Sequence, residues 1–357
     1  MSKIIEQIHA ADAAFELAIT GGGTSALSRL LSVPGASNSL LNGVIPYSFE
    51  ALSQYLHAEP AQACSEKTAR MMASHAYLNA TRYRGGPVFG IGATAAIQTN
   101  RQRRGADRIH VAVQSQTSLT AYELVLEQDA TRIEQEELCA DFVIGCIARN
   151  FEIPSDMHPV PTRSHSATGE WQGLMTRETR STNAIHVAAI LPGAFNPPHE
   201  GHFLMQEIAE QKLGSEVAFE LSIENVDKPD LDYFDMQDRL KLVGTKPLIF
   251  SRAATFVEKS EVFQAVTFVV GMDTLLRIDD KKYYGHSEAA KLEAIELLAK
   301  RNHRFLVFGR VKDEEFQGLE QVKLTPQLKA LCIEVPESEF RIDLSSTELR
   351  STASNQS

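Results

Sequence analysis

From residue 184 onward the chain repeats one pattern, a short apolar run followed by a turn and a helix-period stretch, and this alternation restricts the fold more than any other feature. The apolar runs are 184–195, 216–223, 247–251, 265–273 and 303–311, and the stretches 201–214, 234–246, 253–264 and 287–302 carry apolar residues at helical spacing. Strands separated by helices in this way run parallel, because each crossover brings the chain back to the end of the sheet from which it started. The expectation for this half is an α/β domain with a doubly wound, Rossmann-like parallel sheet.

The chain has 357 residues, 43% of them hydrophobic, which is enough for two cores. The first half also reads as α/β. A strand at 15–20 runs into Gly21-Gly22-Gly23, and a helix at 24–32 begins with Thr24 as its cap. A helix at 64–83, strands at 88–93, 108–115 and 120–127, and a closing helix at 132–151 follow. Over 151–183 the periodicity fades while Pro, Ser, Thr and charge accumulate, the composition of a linker, with the lone Trp171 inside it. The expected division is a domain at 1–150, a linker at 151–183 and a domain at 184–357.

A net charge of −11 argues against a broad phosphate-backbone surface, so no nucleic-acid partner is expected. No window approaches the roughly 18 apolar residues of a membrane span, and the N-terminus lacks a basic start, apolar core and cleavage site, so no membrane partner is expected either. The four cysteines, Cys64, Cys139, Cys146 and Cys332, form no Cys-x-x-Cys pair and read as reduced thiols in a cytoplasmic protein.

The densest motif is "LPGAFNPPHEGH", residues 191–202, at the end of the first strand of the second half. In open parallel sheets ligands lie beyond the carboxyl ends of strands. Gly193 permits a tight turn, Pro197 and Pro198 stiffen the loop, and Gly201 allows close approach at the helix start. His199 and His202, three residues apart, share a face of the first helical turn. There they could hydrogen-bond phosphoryl oxygens at a helix N-terminus, be satisfied by backbone, or form half of a metal site; carboxylate or cysteine ligands at metal spacing are missing nearby.

"GAFNPPHEGH" resembles the signature of the HxGH nucleotidylyltransferase superfamily, in particular the nicotinamide and nicotinate mononucleotide adenylyltransferases, over about residues 185–350. The family's second element, Ile-Ser-x-Thr-x-(Ile/Leu)-Arg, is matched by "LSSTELR" with Leu344 for Ile. The resemblance implies that His199, His202 and Arg350 act on the transferring phosphate, and that Gly193, Phe195, Asn196, Gly201, Asp273, Ser345, Ser346 and Thr347 hold the nucleotide. Asp273 would accept from nucleotide hydroxyls, and Tyr284 or its neighbour Tyr283 would stack on a pyridine ring. Asn225, Lys228 and Arg239 fall where the family places mononucleotide contacts, although a charged solvated face accounts for them equally.

The activity implied is attack of a pyridine mononucleotide phosphate on the α-phosphorus of ATP, with pyrophosphate leaving and Mg²⁺ arriving on ATP; no metal site of the protein's own is expected. The alternatives are CTP in place of ATP, another phosphorylated acceptor, and a binding scaffold without catalysis.

The first half resembles the CinA C-terminal family of nicotinamide-mononucleotide amidases through "SVPGASNSLLNGVIPYSFEAL", "CSEKTARMMA" and "VFGIGA". It departs where the chemistry lies: Thr20 stands in place of the nucleophilic Ser, and Leu52 in place of the activating Lys. A hydroxyl without a base is a poor nucleophile, so loss of the amidase is expected, with a bifunctional deamidase and adenylyltransferase as the competing reading. The triple glycine before a helix is a phosphate candidate. Association into a homo-oligomer is implied by resemblance only.

Overall fold

A computed structural model describes residues 1–100, 105–155, 159–182, 187–224, 230–312 and 315–341. These divide into two compact units, the first built from 1–176 and 230–234, the second from 177–224 and 235–341.

The first unit carries strands β1 (Ala14–Thr20), β2 (Leu40–Val44), β3 (Val88–Ala96), β4 (Arg108–Gln114), β5 (Ser118–Val125) and β6 (Arg163–Ser166) in one sheet, in the order β2-β1-β3-β4-β5-β6. β1 pairs parallel with β2 and β3, and the rest of the sheet is antiparallel. Its helices are α1 (Ser2–Ala10), α2 (Ser25–Ser32), α3 (Ala36–Ser39), α4 (Phe49–Leu56), α5 (Glu66–Tyr83), α6 (Arg132–Asn150) and α7 (Gly169–Thr176). One core lies between the sheet and α1, α2 and α6, and includes Phe15, Leu17, Ile91, Val111, Val143 and Ile147. On the other face α5 lies against β3, where Gly90 and Gly92 remove side chains that would meet the backbone of the helix.

The residues read as a linker are not all linker. β6 extends the first sheet beside β5, and α7 buries Trp171, which stacks on Tyr233 with ring centroids 6.3 Å apart. β6 escapes a periodicity search because an edge strand needs no continuous apolar face. The first unit also takes in the segment at Asp232–Phe234. There Arg70 Nε donates to Asp232 at 2.9 Å, the Tyr233 hydroxyl donates to Gln116 C=O at 2.5 Å, and the Phe234 ring lies beneath the Arg163 guanidinium at 4.3 Å.

The second unit has β7 (Ala189–Pro192), β8 (Val217–Ser222), β9 (Leu248–Ser251), β10 (Thr267–Gly271) and β11 (Arg304–Phe308), then a hairpin of β12 (Arg310–Lys312) and β13 (Glu315–Gln317), and lastly β14 (Cys332–Val335). All strands of its main sheet run parallel, in the order β14-β11-β10-β7-β8-β9, as the alternating pattern requires. The crossovers are α8 (Glu200–Leu213), α9 (Tyr233–Val243), α10 (Phe256–Val262), α11 (Met272–Ile278), a 3₁₀ turn at Lys281–Tyr284, α12 (Glu288–Lys300) and α13 (Pro326–Lys329). Gly214 closes α8 in the left-handed conformation at φ +62°, as its position predicts. The two halves of the sheet wind in opposite directions from β7 and β10, so the switch point lies between those two strands.

Among the described residues, no helix is long and apolar enough to cross a membrane.

Candidate active site

The loop leaving β7 emerges at the switch point. Gly193 is its first residue, and its N–H donates to Glu220 C=O on β8 at 3.0 Å. A β-carbon at Gly193 would lie 2.6 Å from the Phe195 ring, so glycine here is what lets that ring fold under the loop. Phe195 sits at φ +44°, a left-handed conformation that disfavours a bulky side chain, and is held there by burial: its ring meets Phe219 edge-on at 4.9 Å and His202 at 5.2 Å. Asn196 and Pro197 are exposed at the tip, joined by a cis peptide bond, and the chain turns at His199 into α8.

The two histidines come together as their spacing predicts. Their ring centroids are 3.8 Å apart. The His199 backbone N–H donates to His202 Nδ1 at 3.1 Å. Because a backbone N–H can only donate, Nδ1 carries the lone pair and the neutral ring bears its proton on Nε2, where it can donate. Burial first, and the neighbouring His199 second, push the His202 pKa down from 6.5 to about 4, and burial lowers His199 as well. Both rings are neutral at pH 7. His199 Nδ1 is buried without a hydrogen-bond partner, a polar atom left for something else to satisfy. Gly201 is buried between them in the first turn.

Asp273 lies in the first turn of α11, just beyond the end of β10, on the opposite side of the switch point from β7. Its carboxylate already accepts from Arg310 Nη1 at 2.5 Å, with lone pairs left over for further donors. Arg310, whose Nε is buried without a partner, is a residue that the sequence reading missed; it lies inside the apolar run 303–311, two residues past the end of β11. Tyr284 donates its hydroxyl to Ile278 C=O at 3.0 Å, and burial raises its pKa, whereas Tyr283 is the exposed member of the pair. Arg239 is half-buried in α9 with Nε unpartnered, and its pKa is lowered by desolvation against the opposing pull of Asp235 and Asp238. Asn225, Lys228, Ser345, Ser346, Thr347 and Arg350 lie outside the described residues.

In the first unit, the Thr20 hydroxyl is buried and donates to Pro46 C=O at 2.9 Å. Leu52 is packed in a small core with Ala18, Leu56, Met71 and Met72. The glycine loop, the phosphate candidate of the sequence, is engaged from within the domain. Glu136, on α6, accepts from Gly23 N–H at 2.6 Å, Ser25 N–H at 3.0 Å and the Thr24 hydroxyl at 2.8 Å. Thr24 therefore stands at the start of α2 without capping it. Burial pushes the Glu136 pKa up, but these hydrogen bonds outweigh it and the net shift is downward. Glu136→Ala would leave two loop amides unpaired and is expected to cost about 2 kcal/mol in urea unfolding. Since the folded value is depressed, this contribution is present above the usual carboxylate range and is lost as the pH falls through it, so wild type and variant should converge in acid.

Residues 190–352 match the Cytidylyltransferase-like family, and residues 3–144 match the CinA C-terminal domain. Over 169 residues the chain is 30% identical to a curated protein of Schizosaccharomyces pombe named "Putative nicotinamide mononucleotide adenylyltransferase", a match that takes in 42% of this chain and 65% of that protein's length. The solved structure of competence/damage inducible protein CihA from Agrobacterium tumefaciens aligns with 43% of this chain and 92% of its own at 17% identity and a TM-score of 0.32. A CinA superfamily protein from Enterobacter cloacae aligns with 42% of this chain and 89% of its own at 13% identity and a TM-score of 0.35. Two parts of the chain thus match two different families, residues 3–144 the CinA C-terminal domain and residues 190–352 the Cytidylyltransferase-like family.

Proposed function

We propose that the second domain is a nucleotidyltransferase that moves AMP from ATP to nicotinamide or nicotinate mononucleotide and releases pyrophosphate. The observation that carries this reading is the histidine pair at the switch point: two neutral rings at a helix N-terminus, one presenting an Nε2 proton and the other a buried, unsatisfied Nδ1. A donor such as the His202 Nε2–H stabilises negative charge that develops on phosphate oxygens as the bond to the leaving group breaks, and it needs no covalent intermediate. The match to the Schizosaccharomyces pombe protein supports the pyridine mononucleotide as acceptor.

Magnesium in this reading is held by the ATP phosphates. Among the described residues no group of three or more His, Cys, Asp or Glu side chains is disposed for a metal ion. In the first domain the hydrogen bond from Thr20 to Pro46 and the packing of Leu52, which stands in place of the activating lysine, in an apolar cluster support loss of the amidase.

Incubation of the full chain with Mg·ATP or Mg·CTP and a panel of phosphorylated acceptors, followed by pyrophosphate release, tests the proposal. Turnover is expected with ATP and a pyridine mononucleotide, and no ammonia is expected from nicotinamide mononucleotide. Turnover with CTP and a phosphorylated alcohol alone would replace the assigned substrates.

A further inference from the structure

Glu220 lies on β8 among Ala218, Phe219 and Leu221, all buried, and is itself 0% exposed. Lys259, 5% exposed, reaches it from α10: Nζ donates to Glu220 Oε1 at 2.8 Å and stands 2.7 Å from Oε2. The same ammonium donates to Ala253 C=O at 2.7 Å, and the Ser251 hydroxyl donates to Glu220. An ion pair this deep is not an efficient source of stability, because a packed apolar pair of similar volume serves as well or better. What it does that an apolar pair does not is tie three points toward the carboxyl side of the sheet: β8 at Glu220, the last residue of β9 and the loop beyond. The backbone of Glu220 is in turn the acceptor for Gly193 N–H, where the histidine loop begins.

We propose that Lys259 is a positioning residue for nucleotidyl transfer. Through Glu220 it fixes β8 at the level where β7 ends, and the Glu220 carbonyl then sets where Gly193, and with it the loop carrying His199, leaves β7. The lysine touches no reacting atom. Its effect is therefore on the alignment of the loop in the transition state rather than on ground-state binding. This inference rests on the nucleotidyltransferase reading for its kinetic part, and its structural part stands apart from that reading.

The test is the double variant Lys259→Met with Glu220→Leu, which removes both charges and leaves no lone buried ion. Melting is expected within a few degrees of wild type. kcat for pyrophosphate release should fall at least tenfold while KM for ATP changes less than threefold, and hydrogen exchange at the Gly193 amide, followed by NMR, should quicken at least tenfold. If the double variant does not fold, Ser251→Ala, which removes only the hydroxyl bond to Glu220, should move kcat and Gly193 exchange the same way, by about threefold each. Wild-type kcat and wild-type exchange in a folded variant would overturn the proposal, and so would a fall in kcat with unchanged exchange at Gly193. If wild type itself released no pyrophosphate with any acceptor, the nucleotidyltransferase reading would fail, and Gly193 exchange alone would decide whether Lys259 holds the loop.

Discussion

His202→Ala is expected to lower kcat for pyrophosphate release by about 10²- to 10³-fold, the usual cost of removing one preorganised donor from a developing oxyanion. The ring is placed by two contacts that do not depend on substrate, the bond from His199 N–H to Nδ1 and the edge contact with Phe195. Its Nε2 proton is therefore directed before ATP arrives. KM for ATP should change far less than kcat, because the interaction strengthens as charge moves onto the phosphate. Stability should fall by about 1 kcal/mol, through the lost acceptor for His199 N–H. A pH signature accompanies this. Folding holds the His202 pKa near 4 against an ordinary 6.5, so between those values the unfolded chain binds the extra proton. The folded state accordingly loses stability as the pH drops through that window, and the alanine variant should show a shallower slope there in chemical denaturation.

Gly90→Ala is expected to cost more than about 3 kcal/mol and to unfold much of the first domain at physiological temperature, because overpacking against backbone has no flexible side chain to absorb it. A β-carbon at Gly90 would stand 2.0 Å from Ala73 C=O and 2.0 Å from Tyr77 N, both in α5. Gly92 stands likewise against Ala69 C=O and Ala73 N of the same helix, so the two glycines are what lets the helix backbone approach the strand. Trp171, the only tryptophan, is buried in this domain and reports the loss directly by fluorescence in urea.

Much of this fold is legible from periodicity. The apolar runs of the second half became the parallel strands β7 to β11, and β1, α5, β3, β4, β5 and α6 fall where the pattern places them. What escapes are elements whose stability comes from neighbours rather than from their own pattern. β2 is an edge strand with Asn42 and Gly43 inside it, and no residue of it is fully buried. β6 alternates Arg, Ser, His and Ser at the opposite edge. In the candidate site, the motif locates both histidines and Gly193, and its spacing places the rings together. The contacts around them are long-range and leave no local trace: Asp273 with Arg310 and Lys259 beneath Glu220, and, in the first domain, Glu136 with the glycine loop across more than a hundred residues. Nor can a sequence say which nitrogen of His202 holds the proton, since that follows from one backbone amide.

The most direct measurement of the central claim is a crystal structure of the full chain with a non-hydrolysable ATP analogue and magnesium. The account predicts the triphosphate at the N-terminal end of α8, with His202 Nε2 within hydrogen-bonding distance of a phosphate oxygen and His199 Nδ1 no longer without a partner. A triphosphate bound away from the carboxyl ends of β7 and β10, with both rings unchanged, would contradict it.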